Sequence, residues 1–165
     1  MLSISRSAVR RMYEGATRRP IPKEIEMPKF MFIMRATDEA HEAFADADFT
    51  EMIETMGRYN SSLIDAGVLV AAEGLAPATE GVVIDFSATP PVVTDGPYGE
   101  THELFDGYWI VEVADQAEAI EWAKRAPAGP GVKLELRRVP SIDEFPVDNE
   151  WIRAEKAWRE RTGQL

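Results

Sequence analysis

Chemistry in this sequence begins with two imidazoles, His41 and His102, because the 165 residues contain no cysteine and histidine is the side chain whose ordinary charge change falls near neutrality. His102 stands in the densest cluster of turn formers and ionisable groups, Thr94-Asp95-Gly96-Pro97-Tyr98-Gly99-Glu100-Thr101-His102-Glu103. Asp95, Glu100 or Glu103 could orient that imidazole and stabilise its charged form, which is what general acid/base catalysis needs. A plainer reading stands beside it: Asp95 accepts backbone N–H bonds within its own turn, and His102 is a surface residue. Glu73 lies in an apolar stretch, where it either faces a pocket or occupies the solvated side of an edge strand. Arg35 is placed to meet an anion or to snorkel to the surface, and with Glu73, Tyr98 and Glu100 it completes the ligand-binding candidates.

Other chemistries lack their residues. There is no Gly-x-Ser-x-Gly nucleophile turn, no Gly-x-x-x-x-Gly-Lys phosphate loop and no Gly-x-Gly-x-x-Gly after a strand. Without cysteine, thiolate catalysis and cysteine-ligated metals are excluded. Glu100, His102 and Glu103 suit a divalent ion by type, but neighbours on an extended segment point to opposite faces, so neither a metal site nor a cofactor is expected.

The elements that must position these groups follow from periodicity. Lys29 to Ala36 is a bulky apolar run with no solvent face, read as a central strand. Thr37 to Asp48 is polar and reads as a loop with one helical turn around His41 to Ala45. Asp48 caps a helix whose apolar residues Phe49, Met52, Ile53, Met56, Leu63 and Ile64 share a face, and Gly67 ends it. Val68 to Leu75 and Gly81 to Phe86 read as strands joined by the turn Ala76 to Glu80, with a short strand at Pro91 to Thr94. Gly107 to Val113 is a strong strand. Asp115, with Glu118 three residues on, caps a second helix that stops at Pro127. Val132 to Arg138 alternates strictly, with Val132, Leu134 and Leu136 facing a core. Strand–helix–strand occurring twice is the split βαβ, ferredoxin-like α+β pattern: an antiparallel sheet with its helices on one face. Such a sheet leaves its other face for a symmetric partner to cover, so a homodimer is expected.

The expected organisation is a basic arm at 1–28, a domain at 29–140, and an extension at 141–165 with a terminal helix carrying Trp151 and Trp158 on one face. That tryptophan pair is expected to pack on its own domain or on a partner subunit. Residues 1–29 hold seven basic side chains against three acidic, a surplus of four, so the other 136 residues carry −15 of the net −11. The leader shares its Arg- and Ser-rich composition with organellar transit peptides and with basic arms. The acidic body argues against a nucleic-acid partner, and the lack of any long apolar run argues against a membrane span. Absence of cysteine suits a cytoplasmic setting.

Asp95-Gly96-Pro97-Tyr98, the following Gly99-Glu100-Thr101-His102-Glu103, Gly107 to Val113, Glu118 to Ala123 and Glu135-Leu136-Arg137 resemble, in this order, segments of the YCII-related family, specifically its DGPF-motif branch. Tyr98 replaces that motif's phenylalanine, and His102 takes a position usually held by lysine. The resemblance covers roughly residues 29 to 140 and implies a ferredoxin-like subunit that pairs face to face into a dimeric α+β barrel. Some members of the branch are associated with sigma factors, and the wider superfamily includes a chloromuconolactone dehalogenase. In that superfamily a His and Asp pair is suspected of acid/base work, the His lying shortly after the first strand, about where His41 falls. Two functions are therefore expected as alternatives. One is a small-molecule enzyme performing proton transfer, isomerisation or elimination on an acidic or lactone-like metabolite, with His102, His41, Asp95 and Glu103 as catalytic candidates. The other is a non-catalytic binding or regulatory module, for example one associated with a sigma factor.

Overall fold

The computed structural model describes residues 27–45, 48–96, 103–146 and 148–164. At its centre is β1, Lys29–Ala36, flanked by β5, Leu104–Glu112, and β6, Val132–Val139; β2, Leu69–Gly74, closes the other edge in the order β2-β5-β1-β6, all antiparallel. This is the ferredoxin-like α+β arrangement. Alternation along β1 sends Phe30, Phe32 and Ala36 to the buried face, where Trp109 and Val111 from β5 and Leu134 and Leu136 from β6 join them.

Two helices cover that face. The first of them, α2 (Phe49–Asp65), buries Tyr59 and Leu63, and the second, α3 (Gln116–Ala123), buries Ala119. Phe32, Leu63, Val111 and Val113 are fully buried, each worth about 1.5–3 kcal/mol of burial. Tyr59 meets Trp109 edge to face with ring centroids 5.7 Å apart, and Trp109 Nε1 donates to Asn60 Oδ1 at 2.9 Å. The expected caps are in place. Asp48 Oδ1 accepts from Thr50 N at 2.8 Å, and Asp115 Oδ1 accepts from Glu118 N at 2.9 Å. Gly67 ends α2 at φ +71° with paired bonds, Gly67 N to Ile64 O (2.9 Å) and Val68 N to Leu63 O (3.1 Å), and this geometry tucks Val68 beside Leu63.

Three elements depart from expectation. The segment after β1 is not a loop with one turn but an eight-residue helix, α1, Asp38–Ala45. Thr37 Oγ1 accepts from Ala40 N at 3.3 Å, acids occupy the first turn, and Ala40 is buried while Phe44, one turn on, is half-buried. The two strands expected on either side of Ala76 to Glu80 do not pair: β2 joins the main sheet, Ala78–Glu80 is a 3₁₀ turn, and β3 (Val82–Asp85) forms a separate ribbon with β4 (Val92–Asp95). Finally, β5 begins at Leu104, three residues earlier than the apolar run suggests.

Beyond β6 a 3₁₀ turn, Ile142–Glu144, leads to α4, Glu150–Thr162. Trp151 is 74% exposed and Trp158 43%. Burial of the tryptophan pair against its own domain is therefore not found. Residues 1–26 of the expected basic arm lie outside the described residues.

Candidate functional site

Two side chains 65 residues apart meet at the end of the sheet: His41 Nε2 and Asp106 Oδ2 are 2.8 Å apart. Each gets there for a local reason. His41 rides on α1, whose start is tied to the residue just before β6 by Thr37 N to Gly131 O at 3.1 Å. Gly131 there adopts φ +81°, with its α-carbon so close that a β-carbon would lie 2.9 Å from Thr37 Oγ1.

Asp106 is placed by a break in β5. Met34 pairs with Gly107 but Arg35 pairs with Phe105, so Asp106 has no opposite number on β1. One extra residue of this kind is a β-bulge, which bends the strand and re-aims a side chain. Regular alternation would put Asp106 on the face of Tyr108 and Ile110; the bulge turns it toward α1. Its carbonyl keeps a partner, accepting from Leu75 N at 2.7 Å.

The pair sits in an open cleft of about 930 Å³ between α1, the start of α2, the chain after β2 and the start of β5. Met34, Phe44, Met52, Met56, Leu75 and Leu104 are among its walls, the mostly apolar character expected of a small-molecule site. His41 and Asp106 are 36% and 23% exposed, so both can be reached from the cleft. A carboxylate only accepts, so Nε2 carries the hydrogen and donates to Asp106. Nδ1 bonds to no other described residue. An imidazole oriented by a carboxylate through one nitrogen and free at the other is equipped to accept a proton. A smaller hollow of about 160 Å³ between the β1–β6 end and α4 holds Lys29, Arg138 and Arg159, but Arg138 is already committed to Glu144 and Arg159 to Glu155.

Of the other candidates, Glu103 pairs with Lys133, and Asp95 ends β4 opposite Val82, exposed on the separate ribbon. Glu73 is exposed on the edge strand, opposite Tyr108 and outside the cleft lining. Arg35 is spent on an ion pair with Glu135 at 2.5 Å. Arg137 and Arg35 together hold the Glu135 carboxyl below its ordinary range. His102, Tyr98 and Glu100 lie outside the described residues. The structure thus brings together His41, named from the sequence, and Asp106, which was not. The signal emerges only when Leu104 and Phe105 are counted into the strand, which puts Gly107 inside it, where a glycine often marks a bulge.

The sheet order and the helices on one face define the ferredoxin-like α+β class. Within that class the chain belongs to the YCII-related domain family, which matches residues 29–139. It is also similar to an uncharacterized protein of Rhizobium meliloti (strain 1021), 26% identical over 82 residues, which are 50% of this chain and 66% of the relative. The matched segment is thus just under two thirds of that relative's length. No helix among the described residues is long and apolar enough to cross a membrane.

Proposed function

We propose that the chain is a small-molecule acid/base enzyme in which His41 Nδ1 takes a proton from the substrate and Asp106 holds the ring in the tautomer that leaves Nδ1 free. The observation that carries this is the 2.8 Å His41–Asp106 bond within an apolar cleft. Abstraction of a proton beside a carbonyl, followed by isomerisation or by loss of a leaving group, needs a positioned base and no cofactor. A lactone-like metabolite of low polarity suits the walls formed by Met34, Met52 and Met56. The Asp95-Gly96-Pro97-Tyr98 segment supports placement in the DGPF-motif branch, and the lack of cysteine supports a cytoplasmic setting.

A second copy of the chain is the proposed cover for the sheet's open face. Met31 and Ile33 on β1 lie opposite Ile110 and Tyr108 on β5, on the side away from the helices. Phe105 stacks on Tyr108 at 6.5 Å. An apolar centre of this kind on a sheet is what face-to-face pairing buries.

The test of the enzymatic role is turnover of a panel of lactones and enolisable carbonyl compounds by the wild type, His41→Ala and His41→Gln. A loss of about 10²–10⁴-fold is expected for both variants. Equal rates in an active wild type and in His41→Ala would remove the role. Ligands bound equally by both proteins and never turned over would instead make the cleft a non-catalytic binding or regulatory module.

A further inference from the structure

We infer that the cleft selects its ligand by charge, admitting apolar molecules that are neutral or cationic and rejecting carboxylates. The inference rests on the cleft as the ligand site and deepens that reading. Among its described lining residues are four carboxylates, Asp38, Asp48, Glu51 and Asp106, and no lysine or arginine. His41 is the single lining group able to carry positive charge, and it is bonded to Asp106.

Two helices begin at this cleft, α1 at Asp38 and α2 at Phe49, and a helix N terminus ordinarily attracts an anion. Both already carry carboxylates of their own. Asp48 Oδ1 accepts the backbone N–H groups of Thr50 and Glu51, while Asp38 and Glu39 occupy the first turn of α1. An entering carboxylate would find the Thr50 and Glu51 donors of α2 taken and would face the Asp38 and Glu51 side chains, neither of which has an ion-pair partner among the described residues. Asp38, Asp48 and Glu51 are exposed at the cleft, so that repulsion is open to screening by salt. A protonated amine meets the opposite field, with its apolar body against Met34, Met52, Met56 and Phe44.

A matched series isolates the charge: 2-naphthylmethylamine, 2-naphthalenemethanol and 2-naphthoate at pH 7.5, titrated by calorimetry into the full chain. Methionine-methyl NMR reports whether Met34, Met52 and Met56 sense each probe. Expected are binding of the amine at least as tight as the alcohol, and naphthoate at least tenfold weaker than the alcohol. The naphthoate-to-alcohol ratio should fall at least threefold in Asp38→Asn/Glu51→Gln and again in 0.5 M salt (about a 4 Å screening length). Naphthoate binding as tightly as the alcohol overturns charge selection while leaving the His41 turnover test untouched. The expected order combined with unaffected turnover in His41→Ala removes the enzymatic role and keeps the selection. If none of the three moves the methionine resonances, the cleft is not a ligand site and both fall.

Discussion

Asp106 reaches His41 because Asp106 is the one residue of β5 that β1 leaves unpaired in the register between Phe105 and Gly107. The dyad therefore depends on a count of residues in a strand as much as on the two side chains. Shortening β5 by one residue at this point would restore regular pairing and carry the carboxylate to the opposite face.

Replacing Asp106 should change the histidine before it changes the fold. In Asp106→Leu the bond that fixes the Nε2–H form is gone, and ¹⁵N NMR of the His41 ring should report a redistribution between tautomers, with kcat falling and KM little changed. Asp106→Asn, which can still accept a hydrogen bond, should retain more of the original tautomer. Identical ring spectra in wild type and Asp106→Leu would show that the bond does not position the imidazole.

Gly107→Ala should destabilise the sheet edge next to the dyad. A β-carbon there would lie 2.7 Å from Glu73 O and 3.2 Å from Gly74 Cα, both backbone atoms that cannot swing aside. An overpacking cost of about 1–3 kcal/mol is expected. Hydrogen exchange should show the loss concentrated in β2, and urea titration measures its size.

Burial pushes the Tyr59 phenol up to about 12 from 10.0. The unfolded chain then loses this proton at a lower pH than the folded one, so the contribution is flat below pH 10 and becomes progressively destabilising from 10 toward 12. Full development of that shift amounts to something on the order of 2–3 kcal/mol. Tyr59→Phe lacks it, though it forfeits the bond to the Trp122 carbonyl at 3.1 Å. Denaturant titrations at intervals from pH 9 to 11 should show the wild type's advantage over Tyr59→Phe shrinking as pH rises; a constant gap would contradict the burial argument.

At the other end of the scale, the Arg138 guanidinium, aided by the Ser141 backbone N–H, holds the Glu144 carboxyl down to about 2 from 4.5. Its contribution is complete above 4.5 and fades as pH falls toward 2. In Arg138→Gln the Glu144 carboxyl resonance should titrate closer to 4.5, with a small stability change because both groups are largely in water.

Ile110→Glu places a charge in the centre of the open sheet face, beside Met31. Light scattering at micromolar concentration should give twice the chain mass for the wild type and the chain mass for the variant. A monomeric wild type would reject the second copy as the cover.

Much of the fold was legible because it is written in local patterns. The unbroken run of β1, the alternation of β6, the Asp48 and Asp115 caps and the Gly67 stop each follow from one segment's own chemistry. What escaped depended on partners. For α1, Ala40 and Phe44 are too few to make a periodic signal, and burial of Ala40 supplies what the pattern lacks. Nothing within β2 or β3 states that β2 would choose β5, far along the chain, over its neighbour. The candidate site was half legible for the same reason. His41 stood out as a rare residue type, whereas Asp106 is one of 29 acids, and its role arises from a register slip that period-two alternation hides.

The position of β1 also fixes an order of events at the ribosome. Its two neighbours are β5 and β6, and its first residue, Lys29, pairs with Glu112 on one side and Val139 on the other. Emerging first of the described strands, β1 must wait with both edges unsatisfied until most of the chain has been made. Pairings this distant in sequence are slow to close, and an apolar strand left open is prone to join a neighbouring chain. The strand that anchors the finished sheet is thus the one most exposed during synthesis, and β6, the last to arrive, ends that exposure.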